Sequence, residues 1–335
     1  MISKSPGFRR HLLLRRAAPA VLCAGVCLAT SAAQANSIRK FHAPRALETH
    51  VQSINAGGTI GGYSYNEKVY RAFLRAPGGG FTVYNILADT LGYGVSDDGH
   101  TTGTTGDRDG AVFHGFVRAP DGTVALFDAP KAIYTLGVSI SNSGAVAGWY
   151  HDRKGKEIGF VRQPDGTLSI IEPPNAHAIR ALGINTSGVV AGYYRGAGTS
   201  YYGFARAADG TLTTFQCPRS RTTQATAIND DGVVTGTCMD RHLVWHGFVR
   251  DPAGALTLFD TPADDTRPVA IAADGSVAGW CFNGPGFVRK PNGEITTFMV
   301  RDSTQTIAEA INGTGTIAGT WYDQDGNDMG FIRAP

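Results

Sequence analysis

Cationic and polar side chains recur at one register position of this chain, four residues before a repeated Ile or Val. His50, Arg180, Gln224 and Arg267 occupy that position in four of the repeats. A guanidinium group binds carboxylate or sulfate oxygens through a two-point fork. If the fold brings these side chains together, we expect a site for an acidic ligand. The alternative is that they only line a solvated opening.

Aromatic residues close a second repeated segment and offer a different chemistry. Aromatic rings at a rim can stack on a ligand, and a Tyr hydroxyl can form a hydrogen bond at the same time. The same positions also suit packing between repeats. Within this set Tyr150, Tyr194 and Tyr322 are predicted to be the exposed, ligand-binding members.

Histidines are the candidate proton-transfer groups, because their charge changes near neutral pH. His114 and His246 lie on the repeat motif itself and are interpreted as structural residues that bond a neighbouring turn. His50 and His177 lie off the motif and are the candidate catalytic residues. The sequence shows no partner for either of them and therefore assigns no catalytic residue.

Metal and cofactor motifs are weak in this chain. The acidic stretches at 107–110 and 323–328 are rich in oxygen ligands, so calcium is one interpretation, although neither has the complete spacing of a calcium loop. The chain has no Cys-x-x-Cys spacing, phosphate-binding loop or dinucleotide fingerprint. We therefore expect no cofactor and no metal site.

These residues are positioned by a repeat that occurs seven times. Each copy contains the element Gly-Phe-x-Arg or a close variant, and the Phe recurs at intervals of about 44 residues. Four short runs of β-favouring residues fill each interval, and they are separated by turns of which Asn-x-x-Gly and Asp-Gly are the clearest examples. The repeated Phe residues are Phe73, Phe116, Phe160, Phe204, Phe248, Phe287 and Phe331.

Four antiparallel strands per repeat predict an all-β fold, a seven-bladed β-propeller in which each blade is a four-stranded sheet. The last repeat ends after its third strand, whereas residues 37–44 resemble an isolated fourth strand. We therefore expect 37–44 to complete the last blade and to close the ring, which removes exposed sheet edges. The propeller is predicted to span 36–335.

The N-terminal segment predicts export. Residues 1–35 combine a basic start, an apolar run too short to span a membrane, and a small-residue cleavage site, which is typical of a secretory signal peptide. Removing its five cations from the 30 Lys and Arg leaves 25 against 28 Asp and Glu, a net charge of about −3. Nucleic acid is therefore not an expected partner. We predict a periplasmic or extracellular monomer without a membrane span.

Three cysteines lie beyond the signal segment: Cys217, Cys238 and Cys281. One pair of them can form a disulfide in an oxidising compartment, which leaves one thiol free. The sequence leaves the pairing open.

The motifs resemble a known family. The stretches at 70–75, 113–118 and 245–250 are similar to the "HAF" element of bacterial extracellular HAF-repeat proteins, and so are the Asn-x-x-Gly turns. The resemblance covers the whole chain after the signal segment and implies an exported repeat protein. It implies no reaction. The chain departs from the pattern in having His at the motif position only at His114 and His246.

Two functions follow as hypotheses. The first is a non-catalytic module that binds a glycan or an envelope protein through the face that carries the variable loops. The alternative is a secreted lyase acting on an acidic polysaccharide at the channel mouth, with Arg180 or Arg267 neutralising a carboxylate and His50, His177 or a Tyr moving a proton. A third possibility is an envelope protein with a purely structural role. Whether the chain is an enzyme stays open.

Overall fold

The computed structural model describes residues 38–107, 110–263 and 265–335, so the predicted signal peptide lies outside the described residues. The described residues form 28 β-strands and contain no helix. The prediction of an all-β fold is confirmed. No segment in the described part of the chain forms a helix with the length and apolar character needed to cross a bilayer.

The strands form groups of four, which we call blades and number 1 to 7 in chain order. The innermost strands are β2 (Glu48–Ile54), β6 (Thr90–Val95), β10 (Ala132–Ile140), β14 (Ala178–Ile184), β18 (Ser220–Ile228), β22 (Thr266–Ile271) and β26 (Gln305–Ile311). The second strands are β3 (Ile60–Tyr65), β7 (Thr101–Gly106), β11 (Val146–Asp152), β15 (Val190–Arg195), β19 (Val234–Asp240), β23 (Val277–Cys281) and β27 (Ile317–Tyr322). The third strands are β4 (Tyr70–Arg75), β8 (Phe113–Arg118), β12 (Glu157–Arg162), β16 (Tyr201–Arg206), β20 (Trp245–Arg250), β24 (Gly286–Arg289) and β28 (Asp328–Arg333). The outermost strands are β5 (Phe81–Tyr84), β9 (Val124–Phe127), β13 (Leu168–Ile171), β17 (Leu212–Phe215), β21 (Leu256–Phe259), β25 (Ile295–Phe298) and, in blade 7, β1 (Ile38–Phe41).

Blade 7 takes its fourth strand from the other end of the chain. The strands of this sheet follow the order β1-β28-β27-β26, and β1 pairs antiparallel with β28 from Ile38 opposite Arg333 to Phe41 opposite Gly330. In the other blades, consecutive strands of the chain pair antiparallel as neighbours. The backbone groups of β28 are therefore paired on both sides, which leaves no open edge at that strand.

The repeated Phe is the centre of each blade. All seven of these side chains are at most 1% exposed. A Gly of the second strand lies directly under the ring, as Gly192 does under Phe204: a Cβ at Gly192 would overlap the carbonyl oxygen of Arg180 and lie 2.8 Å from the ring. The Gly is therefore required by close packing of strands and ring, not by a turn.

In blades 1, 4, 5 and 7 the Asn of the Asn-x-x-Gly turn joins its blade to the next one, whereas Ser96, Ser141 and Ala272 occupy this position in the other three. Asn185 Nδ2 donates to the carbonyl oxygen of Asn229 at 3.1 Å, and Asn229 Nδ2 donates in turn to Ala272 at 3.1 Å. The same bond runs from Asn312 in blade 7 to Asn55 in blade 1 at 3.2 Å. Each amide oxygen also accepts the backbone N–H four residues later, as in Asn185 with Val189. The side chain thus satisfies its own turn and a neighbouring one.

In six blades the Arg of the repeat motif lies over an aromatic ring on the outer strand of the preceding blade; the exception is Arg206, because β13 of blade 3 has no aromatic residue. The guanidinium of Arg118 is 4.6 Å from the ring centre of Tyr84, and that of Arg162 is 5.1 Å from Phe127. Arg75 of blade 1 lies 4.9 Å from Phe41 of β1. The repeat motif is therefore used for contacts between blades, including contacts between the first and last blades.

Every innermost strand carries a β-bulge at the same register position. The strand pairing skips one residue in each blade, two residues before the repeated Ile or Val. A bulge changes the direction of the extra side chain. The bulged residues are Gln52, Tyr93, Val138, Leu182, Thr226, Val269 and Glu309.

The cysteine pairing left open by the sequence is resolved in the structure. Cys217 and Cys238 form a disulfide, with a Cα–Cα distance of 6.2 Å. Cys281 is a free, buried thiol beside the Thr261 hydroxyl at 3.2 Å. Burial raises the pKa of the Cys281 thiol. A buried thiol with a raised pKa is unreactive, which fits a structural role for this residue.

Candidate functional site

One face of the molecule carries the connections between strands two and three and those from each blade to the next, and we call it the loop face. The blade-to-blade connections are more regular than the sequence predicts. Lys131 and Arg219 follow a proline and have a positive φ of 62° and 58°, within turns closed by backbone hydrogen bonds. Arg45 has the same conformation. These three connections therefore share one backbone conformation after a proline and each present a basic side chain there.

The polar cluster at the junction of blades 3 and 4 is centred on Arg180. Its guanidinium forms a two-point ion pair with Glu157 of blade 3, at 2.8 Å from Nε and 2.7 Å from Nη2. The same group lies 4.8 Å from the ring centre of Trp149 and 3.4 Å from the hydroxyl of Tyr193. Arg180 is thus held in one position by a carboxylate and two aromatic residues.

The electrostatics of this pair differ from those of a free cation. Burial opposes ionisation of Glu157, but the hydrogen bonds and charge of Arg180 outweigh it and lower the pKa of Glu157. The hydrogen bond to Glu157 also raises the pKa of Arg180. Burial raises the pKa of the Tyr193 phenol, which stays a neutral hydrogen-bonding group. Both members of the pair are charged at neutral pH, and together they are neutral.

A pocket of about 240 Å³ opens beside this pair. His177, a sequence candidate, lines it together with Arg180 and Glu157. The walls include the rings of Tyr193 and Tyr201, which meet edge to face at 5.7 Å between centroids. His177 is exposed, and its imidazole makes no hydrogen bond to another described residue. We call this the blade 3–4 pocket.

Arg267 lies at the junction of blades 5 and 6 in a comparable setting. Its guanidinium is 4.6 Å from the ring centre of Trp245 and 5.2 Å from that of Trp280. Asp265 lies 3.5 Å away as its carboxylate partner. Its Nε atom is buried and has no hydrogen-bond partner among the described residues.

His50 lies at the junction of blades 7 and 1, where it faces two carboxylates. Its Nε2 atom is 3.3 Å from Glu48 Oε2 and 3.4 Å from Asp328 Oδ2. The ring of Tyr63 stacks on the imidazole at 4.7 Å between centroids. All three polar side chains are mostly buried.

The sequence candidates for an oxyanion site therefore occupy different blade junctions. Arg180, Arg267 and His50 each contact carboxylates of their own, and only Arg180 lines the blade 3–4 pocket. Gln224 is half-buried, and its amide makes no hydrogen bond to another described residue. The structure brings Arg180 and His177 together but does not gather the four residues into one cationic pocket.

The prediction that Tyr150 and Tyr194 are exposed is wrong. They are 5% and 8% exposed, and each belongs to a hydrophobic core. Both faces of a blade are covered by neighbouring blades, so alternation along the strand exposes neither side. Tyr322 is half-buried at the end of β27 and interacts with other residues.

The motif histidines and the acidic loop have local structural partners. His114 Nδ1 lies 2.9 Å from Asp128, and His246 Nδ1 lies 2.8 Å from Asp260, each at the end of the adjacent outer strand. In the loop at 323–328, Asp323 accepts the backbone N–H of Asn327 at 2.8 Å. This carboxylate closes a turn. Residues 108 and 109 of the other acidic stretch lie outside the described residues.

A central cavity of about 380 Å³ is lined by residues from all seven innermost strands. The seven bulged residues contribute to its wall, and Val138, Leu182 and Val269 make part of it apolar. Glu309 is the one bulged residue that carries a carboxyl group, and burial raises its pKa to about 8. Sequence reasoning missed this wall, although its members always precede the repeated Ile or Val by two residues.

The fold is similar to several solved structures. A streptogramin B lyase matches with a TM-score of 0.60 at 12% identity, over 89% of this chain and 97% of the other. Virginiamycin B lyase from Staphylococcus aureus matches with a TM-score of 0.60 at 15% identity, over 89% of this chain and 99% of the other. The β-propeller domain of the Trilobed protease from Pyrococcus furiosus matches with a TM-score of 0.58 at 10% identity, over 85% and 95%.

These similarities identify the class of protein: the chain is a β-propeller. At such low identity they show the fold alone. No protein family and no curated protein matches the sequence.

Proposed function

We propose that this chain is an exported, seven-bladed β-propeller that binds a hydroxyl-rich ligand, a glycan, in the blade 3–4 pocket without transforming it. The seven-bladed, closed arrangement is supported by the pairing of β1 with β28 and by the Asn312–Asn55 hydrogen bond between the last and first blades. The resemblance to HAF-repeat proteins and the signal-like segment 1–35 support export. Fractionation of a culture and sequencing of the mature N-terminus test that part, and an N-terminus at residue 36 is expected.

The observation that carries the ligand proposal is the pairing of Arg180 with Glu157 inside a pocket walled by Tyr193 and Tyr201. A neutralised guanidinium has little net attraction for an anionic ligand. The pair still presents N–H donors and carboxylate acceptors in fixed positions, and a sugar hydroxyl can use both. Aromatic walls with polar tips provide the remaining contact area.

Binding is tested by screening the purified protein on an array of neutral and acidic glycans. Neutral glycans are expected to bind. Glu157→Gln should weaken binding at least about tenfold, the loss expected for a hydrogen bond to a charged group, and Tyr201→Ala should weaken binding about tenfold by removing an aromatic wall of the pocket. His114→Gln is the matched control, because it removes a polar side chain that lies on the loop face outside the pocket. The proposal fails if no glycan binds or if Glu157→Gln binds as tightly as the unaltered protein.

A lyase acting on an acidic glycan is the second candidate, and it is favoured by His177 lining the same pocket as Arg180 and two tyrosines. His177 would act as the proton acceptor, and the carboxylate of the substrate would have to replace Glu157 as the partner of Arg180. Uronate polymers would then yield unsaturated products with increasing ultraviolet absorbance. Loss of that signal in His177→Ala would assign the activity to this pocket, whereas absence of the signal in the unaltered protein excludes the reaction on the polymers tested.

An envelope protein as partner is the remaining alternative for the loop face. Glycan binding that disappears in the pocket variants would argue against it. Sedimentation of the purified protein tests the expectation of a monomer.

A further inference from the structure

His50, Glu48 and Asp328 form a cluster at the junction of blades 7 and 1 that the proposed function does not use. Glu48 and His50 belong to β2, the innermost strand of blade 1, and Asp328 begins β28 of blade 7. One ligand atom from each residue lies within 4.8 Å of the other two. The side chains of Glu48, His50 and Asp328 are 27%, 17% and 14% exposed, respectively, so the cluster is mostly shielded from solvent.

The distances in this cluster are unusual for hydrogen bonds. His50 Nε2 lies 3.3 Å from one carboxylate oxygen and 3.4 Å from the other, whereas N–H···O bonds centre near 2.9 Å. A single Nε2 proton also points toward only one acceptor. The histidines of the blade motifs behave differently: His114 and His246 approach their carboxylates at 2.9 and 2.8 Å through Nδ1.

The same distances match the separation of ligands around a metal ion. Zinc binds His nitrogen and carboxylate oxygen at about 2.0–2.2 Å, so ligand atoms on a tetrahedral zinc ion lie about 3.3–3.5 Å apart. Two carboxylates and one imidazole supply two negative charges against the charge of a divalent ion. Glu48 has no Lys or Arg ion-pair partner among the described residues.

We infer that Glu48, His50 and Asp328 bind one zinc-type divalent ion, with the fourth coordination position open toward the loop face. The inference departs from the sequence expectation of no metal site, and it is independent of glycan binding in the blade 3–4 pocket. Because the ligands come from the first and last blades, the ion also links the two ends of the ring. Binding therefore stabilises the folded protein, since an unfolded chain does not hold these three groups together.

The test is titration of the purified, EDTA-treated and dialysed protein with Zn²⁺ by calorimetry, with bound zinc measured by atomic absorption. We expect one ion per chain and a melting temperature that rises with Zn²⁺ and falls again with EDTA. His50→Gln and Asp328→Asn should each weaken binding at least about tenfold, because even a change in the shell around a metal site costs 10–100-fold. His114→Gln should bind zinc as the unaltered protein does.

Co²⁺ gives a second, independent measurement. We expect visible absorption bands of a tetrahedral ion in the Co²⁺-loaded protein and their loss in His50→Gln, whose fold is checked by circular dichroism. Failure to take up one zinc ion overturns the inference. So does uptake that is unchanged in both His50→Gln and Asp328→Asn, or tighter binding of Ca²⁺ than of Zn²⁺.

Discussion

Replacing Glu309 by Gln should stabilise this protein at pH 8 and leave its stability near pH 5 almost unchanged. Glu309 is the bulged residue of β26, and its side chain lines the central cavity. Burial raises the pKa of this carboxyl from 4.5 to about 8. The folded protein therefore keeps a proton that the unfolded chain releases as the pH rises above 4.5.

The sign and size of the effect on stability follow from the difference between the pKa of Glu309 in the folded protein and its pKa in the unfolded chain. Between pH 4.5 and 8 the unfolded state binds fewer protons than the folded state, so the free energy of unfolding decreases as the pH rises and levels off above 8. Each pKa unit corresponds to about 1.4 kcal/mol, which gives an upper limit of about 5 kcal/mol for the whole shift. Glu309 keeps partial exposure to the cavity. Because solvent screening reduces the effect, we expect Glu309→Gln to raise the free energy of unfolding at pH 8 by about 2 kcal/mol.

Thermal unfolding at pH 5, 6, 7 and 8 measures the effect. Glu309→Gln has no titrating carboxyl, so its melting temperature should exceed that of the unaltered protein by about 4 °C at pH 8 and by much less at pH 5. Glu294→Gln is the matched control, because Glu294 is 54% exposed and forms a surface ion pair. If the profiles of Glu309→Gln and the unaltered protein run parallel from pH 5 to 8, the carboxyl is not held protonated and the reasoning is refuted.

Three further predictions concern the blades themselves. Asn312→Ala removes the amide that joins blade 7 to blade 1 and should lower the free energy of unfolding by about 1–2 kcal/mol in urea titration; an unchanged midpoint would contradict that role. Reduction of the Cys217–Cys238 disulfide, whose cysteines are 21 residues apart, should lower the free energy of unfolding by about 3 kcal/mol. A melting curve that does not change with reductant would contradict this stabilising role. Gly192→Ala should lower the free energy of unfolding in urea by about 3 kcal/mol, because the added methyl group overpacks the blade. Gly78→Ala, with no atom near its Cβ position, should change this free energy little.

The repeat made the secondary structure predictable, because each turn carries its own local chemistry. Turns that end in a Gly of positive φ set the strand boundaries within the blades, and the spacing of the Phe residues defines the period. The use of Asn185 and Arg118 as contacts between blades could not be predicted in the same way, because their partners belong to neighbouring repeats. A single repeat contains no information about which face meets the next one.

The exposure of side chains was the least predictable property of the site. The sequence places Tyr150 and Tyr194 among the aromatic residues that end the second strand of each repeat, a position that predicts a solvated rim. A blade packs against neighbours on both faces, so the usual alternation of inward and outward residues does not apply to it. The β-bulges were also missed, since a bulge changes the register without leaving a turn residue in the sequence.

The paired charges at the loop face were visible in the sequence, but only when adjacent repeats are compared. Three residues before the repeated Phe stand aromatic residues in four repeats: Tyr70, Phe113, Tyr201 and Trp245. The same position is acidic in two others, at Glu157 and Asp328, and each of these carboxylates faces a basic residue on the innermost strand of the adjacent blade, Arg180 and His50 respectively. Where one repeat has an acidic residue in place of the usual aromatic one, the next repeat around the ring thus has a basic residue opposite it. Such a pair places charged groups at a blade junction that usually has an aromatic residue. Charged pairs of this kind therefore indicate which blade junctions are candidates for ligand or metal binding.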